Sequence, residues 1–114
     1  MDARPYPPAL MRALLPTAVL ACLESQDLHG YGLAEKLEEL GFGRLKGGSL
    51  YPALSKLEDA GAVTTAWTQG ASGPARRLYT LTSQGRERLA TERLQLAQLT
   101  HLLGSSAAAE RSSR

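Results

Sequence analysis

Residues Gly47–Gly61 read GGSLYPALSKLEDAG, and how this stretch folds decides the rest. Leu50, Ala53, Leu54 and Leu57 recur at spacings of three and four, the period of a helix that buries one face. Tyr51 stands off that stripe beside Pro52, and Ser55 and Lys56 also lie away from it. Proline is tolerated in the opening turn of a helix, where its missing N–H has no intrahelical partner to lose. The spacing therefore predicts Ser49 as N-cap, with Leu50, Tyr51 and Pro52 as the first helical residues and Gly61 as the end. Such a helix docks through its leucines. It leaves Ser49, the free amides and the positive end of the helix dipole as a corner suited to phosphate.

Two more helices precede this one. The first is predicted over about Ala9–Ser25, with Val19, Leu20 and Leu23 apolar, and Pro16 either kinks it or starts its regular part. Gln26–Gly30 breaks it. The second runs over about Tyr31–Leu40, with Leu33, Ala34, Leu37 and Leu40 on one side, Glu35, Glu38 and Glu39 outside, and Gly41 as terminator. After Gly61 the period changes. AVTTAWT (Ala62–Thr68) and RRLYTLT (Arg76–Thr82) alternate and are rich in β-branched and aromatic residues. The turn-forming QGASGPA between them makes the pair a β-hairpin. Thr82 or Ser83 then caps a last helix ending near Leu103.

Helix, helix, helix, hairpin, helix is the winged helix-turn-helix order, mainly α with a small β-hairpin. The expected organisation is a flexible N-terminus over 1–8, the winged domain over 9–82, a dimerisation helix over 83–103 and a disordered tail over 104–114. In this arrangement the third helix enters the major groove of double-stranded DNA. The residues expected to face DNA from this helix and the turn before it are Lys46, Ser49, Tyr51, Ser55 and Lys56.

Composition agrees with one globular domain: 114 residues, 43% hydrophobic and 21% charged. No run of about 18 uncharged apolar residues exists to span a membrane as a helix. The N-terminus lacks the charged-then-apolar order of a secretory signal. The lone Cys22 lies in an apolar run and reads as a buried, inert thiol. Together these features point to the cytoplasm and to no membrane partner. The formal charge of +2 hides an asymmetry. Between Glu24 and Gly43 lie Glu24, Asp27, Glu35, Glu38 and Glu39 against Lys36. From Arg44 to Arg93, the bases Arg44, Lys46, Lys56, Arg76, Arg77, Arg86, Arg88 and Arg93 face Glu58, Asp59, Glu87 and Glu92. That basic half suits a phosphate backbone. Enzyme chemistry has no constellation to carry it. His29 and His101 form no ligand-spaced pair, and the glycine-rich stretches GFGRLKGG and GASGP lack the strand, lysine and serine of a nucleotide loop. No metal or cofactor is expected.

In the last helix Leu89, Leu96 and Leu103 are seven apart, Leu99 falls at the matching heptad position, and Glu92 interrupts the seam. A small domain has little to cover such a stripe, so Leu89, Leu96, Leu99 and Leu103 are expected to form a homodimer seam. A two-fold protein in turn suits a palindromic operator.

Three segments carry a wider likeness: LHGYGLAEKL (Leu28–Leu37), GSLYPALSKLEDAGAV (Gly48–Val63) and RRLYTLTSQGRERL (Arg76–Leu89). With the apolar first helix they cover nearly the whole chain, and in this order and spacing the sequence resembles the PadR family of transcriptional regulators. Its single C-terminal helix is similar to that of the smaller subgroup. The resemblance implies a dimeric DNA-binding regulator, usually a repressor of a nearby operon, with Ser49, Tyr51, Pro52, Lys56, Arg76 and Arg77 toward DNA. It makes HGYG the start of helix two, with Tyr31 in the core and His29 in a turn. One departure is Lys46, where many members carry a polar capping residue. The subgroup also implies a small-molecule effector pocket between the last helices, here beside Leu96 and Leu99. Trp67 has two readings, a core ring over the helix–wing joint or a border of that pocket. The rival function is a winged-helix module that binds protein without reading DNA.

Overall fold

The computed structural model describes residues 6–44, 47–69 and 73–112. The elements are α1 (Pro8–Cys22), β1 (Leu28–His29), α2 (Gly30–Leu37), α3 (Gly47–Asp59), β2 (Val63–Thr68), β3 (Arg76–Leu81) and α4 (Ser83–Ser112). A wide helical turn, Glu38–Phe42, prolongs α2 until Gly41 breaks it at φ 104°, a conformation that glycine adopts without strain.

The predicted order of helices and wing is present. Four local expectations differ. First, α1 begins at Pro8, a position proline suits, and ends at Cys22, short of Ser25; of the two readings of Pro16, it lies inside the helix and does not start it. Second, the sheet has three antiparallel strands in the order β1-β3-β2. Leu28 pairs with Tyr79 and His29 with Leu78, while β2 and β3 pair from Val63↔Leu81 to Thr68↔Arg76. A two-residue strand is too short to show alternation, so the sequence presents it as a break between helices.

Third, α3 starts at Gly47, so Ser49 lies in its first turn and is not the cap. Pro52 is therefore interior, and the carbonyl of Gly48 has no helical donor. Backward extension gains a helical bond for each added carbonyl except that one, which is why the start need not spare the proline. Fourth, α4 does not end at Leu103 but continues to Ser112, through most of the tail expected to be disordered. Ala107–Ala109 are the strongest helix formers and favour continuing the helix past Gly104, which costs about 1 kcal/mol relative to alanine. Residues 1–5 of the expected flexible N-terminus lie outside the described residues.

One core holds these elements together. α1 contributes Leu15, Ala18, Val19, Leu20 and Cys22, with Leu23 just beyond it. Leu33 and Leu37 come from α2, Leu50, Leu54 and Leu57 from α3, and Val63, Tyr79 and Leu81 from the sheet. Each fully buried leucine contributes about 2 kcal/mol of transfer free energy. Burial also pushes the Cys22 thiol pKa up, as the inert reading expects. Leu89 joins this core at 1% exposure, which corrects its place in the dimer seam. Its position near the helix start, where α4 lies on the chain's own helices, leaves nothing for a partner to cover.

The start of α4 is tightly fixed. Thr82 caps it: its Oγ1 accepts from the Gly85 N–H at 2.9 Å and donates to the carbonyl of Gly61 at 2.6 Å. The Thr82 N–H donates to the Ala62 carbonyl at 3.1 Å. Gly85 lets the helix press on that same carbonyl, since a Cβ there would fall on the Ala62 oxygen. Further along, Thr17 Oγ1 donates to Glu92 Oε1 at 2.6 Å, Arg88 pairs with Glu92 at 2.7 Å and Arg93 pairs with Glu24 at 2.9 Å. The Thr17 bond holds α4 to α1, the Arg93 pair ties α4 to the segment just after α1, and Arg88 within α4 steadies Glu92, which explains the acid in the leucine seam. Beyond them Leu96 is half-buried, and Leu94, Leu99, Leu102 and Leu103 are exposed. Among the described residues no helix is long and apolar enough to cross a membrane.

Candidate nucleic-acid interface

The α3 helix sorts its residues as its periodicity predicts. Leu50, Leu54 and Leu57 are buried at 1–2%, and Ser49, Tyr51, Pro52, Ser55 and Lys56 are all exposed. Lys46 lies outside the described residues. The Tyr51 ring is half exposed and its hydroxyl end rests over Gly30, where a Cβ would come within 2.7 Å of Oη. The missing side chain of Gly30 thus lets the start of α2 sit directly under the tyrosine.

On the wing the two adjacent arginines have different roles. Arg76 is exposed. Arg77 turns inward: its Nη2 donates to Glu58 Oε1 at 2.9 Å, to Glu58 Oε2 at 3.1 Å and to Thr65 Oγ1 at 2.8 Å. Its guanidinium also lies 5.8 Å from the ring centres of Trp67 and Tyr79, within the range of a cation–π attraction. Arg77 therefore braces the wing against α3 and does not extend as a free contact. Both partners are about one-third exposed, so the ion pair itself contributes about 1 kcal/mol or less. The hint in the sequence was the cross-strand match of Trp67 with Arg77, which strand register alone brings together. His29 is fixed as well, with Nε2 2.8 Å from Thr68 Oγ1. Thr68 directs its own proton to the Arg76 carbonyl at 3.2 Å.

Between α3 and the wing lies a hollow of about 630 Å³, lined by His29, Gly30, Tyr31, Tyr51, Trp67, Ala75, Arg76, Arg77 and Tyr79. Two of its walls overturn expectations. Tyr31 is 72% exposed, not core, and Trp67 is 69% exposed, not a cover for the joint. Strand alternation buries a residue only where something packs on that face. Val63 has the helices beneath it, whereas Trp67, four residues on, has passed beyond them. The hollow beside Trp67 does not include Leu96 or Leu99.

A family profile described as "Transcriptional regulator PadR-like family" matches residues 19–91, a span that contains α2, α3, the wing and the cap of α4. The chain belongs to that family. The negative transcriptional regulator PadR of Bacillus subtilis is 36% identical over 78 residues, which are 67% of this PadR-like chain and 43% of that protein. The chain thus spans less than half the length of this relative. A transcriptional regulator of Mycobacterium tuberculosis is 33% identical over 88 residues, 77% of this chain and 80% of that protein. Among solved structures, Bacillus subtilis PadR in complex with operator DNA superposes with a TM-score of 0.62 at 34% identity. The superposition covers 68% of this chain and 46% of that one.

Proposed function

We propose that this chain is a sequence-specific DNA-binding transcriptional regulator of the cytoplasm that represses as a homodimer. The observation that carries the reading is the outer face of α3. Its serines, its half-exposed tyrosine and Lys56 are presented together on a helix whose other side is locked into the core. Side chains held this way reach base edges without an ordering cost for the helix. Arg76 reaches backbone phosphate from the wing, and Arg77 keeps the wing at a fixed angle to the helix. The operator complex of Bacillus subtilis PadR supports the same use of the fold. The exposed leucines of α4 supply the contact between protomers, and a two-fold pair of α3 helices suits a palindromic operator. A small-molecule effector held between the last helices, beside Leu96 and Leu99, would act by favouring one spacing of the two recognition helices.

The test is selection of bound sequences from random duplex DNA, followed by Lys56→Glu on the selected operator. Lys56 is exposed, so the variant should keep its thermal stability and lose most of its operator affinity. Parent affinity should fall steeply with salt. A parent that enriches no sequence and ignores salt would instead mark a protein-binding module.

A further inference from the structure

A second hollow, of about 410 Å³, lies on the flank of α3 that faces α1 and α4. Leu15, Pro16, Ala53 and Leu57 give it an apolar floor. Three cations from three separate elements edge it: Arg12 of α1, Lys56 of α3 and Arg88 of α4. No carboxylate is among its lining residues. Arg12 and Lys56 are exposed and, among the described residues, neither is paired with an acid. Arg88 gives its Nε to Glu92 at 2.7 Å and its side chain remains 37% exposed. Gly48 and Ser49, in the first turn of the 13-residue α3, also line the hollow. First-turn amides have no intrahelical partner, and nothing lies within 4 Å of where a Gly48 side chain would be. An anion can therefore approach the backbone there.

Like charges brought to one concavity from three elements repel unless an anion joins them. The anion that fits is one with a compact charge on an apolar stem. A phosphodiester meets this: its oxygens suit two arginines and a lysine, and its sugar suits the apolar floor. We propose that this hollow seats one backbone phosphate of the bound duplex, with Arg12 as a principal contact and Arg88 in support. The inference rests on the DNA-binding reading of α3 and adds a second element, α1, to the surface that grips DNA. Such a contact positions the helix without reading sequence.

The experiment compares the parent with Arg12→Gln and Arg12→Lys, by fluorescence anisotropy on the selected operator and on an unrelated duplex across a salt series. Thermal melts confirm that all three are folded. Arg12→Gln should weaken both duplexes by the same factor, roughly tenfold, as expected for one charge-assisted hydrogen bond. The salt slope should drop by about one, and Arg12→Lys should recover part of the loss. Neutral methylphosphonate placed at successive operator positions should weaken the parent at one position and leave Arg12→Gln unaffected there. If Arg12→Gln binds like the parent while Lys56→Glu fails, the phosphate seat is wrong and the recognition helix stands. Loss on the operator alone would make Arg12 a base reader and also overturn the seat. A parent that binds no duplex would overturn both readings. Inorganic pyrophosphate that raises the melting temperature of the parent and not of Arg12→Gln, with a flat methylphosphonate scan, would assign the hollow to a free phosphoryl anion.

Discussion

Gly85→Ala sets two effects of opposite sign against each other. Gly85 is the third residue of α4, and replacing glycine by alanine in a helix gains up to about 1 kcal/mol from propensity. The structure says this gain is overruled. A Cβ at residue 85 would land on the carbonyl oxygen of Ala62 and 2.6 Å from Leu81 Cδ1. Neither neighbour can yield freely. The Ala62 carbonyl accepts from the Thr82 N–H at 3.1 Å, and Leu81 is 6% exposed in the core. The helix must lift, which loosens both the Thr82 cap and the packing of Leu89. Overpacking of this kind costs about 1–3 kcal/mol or more, and loss of a cap costs about 1 kcal/mol. The net expectation is a destabilisation of roughly 2 kcal/mol, or a melting temperature about 10 °C lower. Thermal melts followed by circular dichroism read this directly. A Gly85→Ala protein that melts at or above the parent temperature would refute the close approach of α4 to the wing joint.

Other expectations follow from single contacts. Leu99→Asp and Leu103→Asp alter exposed positions, so they should convert a dimer to a folded monomer in analytical ultracentrifugation. Leu89→Ala should instead cost about 3 kcal/mol of stability at any protein concentration; a parent already monomeric at micromolar concentration would sink the seam. At Glu92, burial raises the carboxyl pKa, but hydrogen bonds from Thr17 and Arg88 and the charge of Arg88 hold it below its ordinary value overall. A depressed pKa in the folded state contributes stability above the ordinary carboxylate range, and that stability is lost as pH falls through the folded value. Thr17→Val should therefore be less stable than the parent at neutral pH, with a gap that closes on acidification; a gap constant with pH in urea titrations would exclude the linkage. Cys22 should resist a soluble thiol reagent in the native protein and react once urea unfolds it, and prompt native labelling would contradict its burial.

The order of elements was legible because each helix carries three or more apolar residues at helical spacing and the wing carries two alternating runs. The buried stripe of α3 and its outward residues follow from the same periodicity. The failures share a cause, which is that position along an element does not say what lies opposite it. Leu89 and Leu103 occupy equivalent heptad sites, yet one end of α4 lies on α1 and the other projects beyond it. Tyr31 follows a glycine at a helix start and reads as core, but that side of α2 opens onto the hollow beside the wing. Arg76 and Arg77 look alike as neighbouring bases, and only strand alternation plus the placement of Glu58 separates an outward contact from a brace.

The short pairing of β1 with β3 bears on how the domain folds. Leu28↔Tyr79 and His29↔Leu78 close a loop that contains all of α2, α3 and β2. Closing so long a segment costs chain entropy that only the completed core returns. The hairpin therefore has no route to a stable state of its own in which it waits for the helices. Its central strand is complete only when the start of α2 has already been delivered to its edge. Amides of β3 should then exchange with solvent through the same opening that exposes the leucines of α3, as one cooperative unit. Helix α3 and the wing enter and leave the native state in one step.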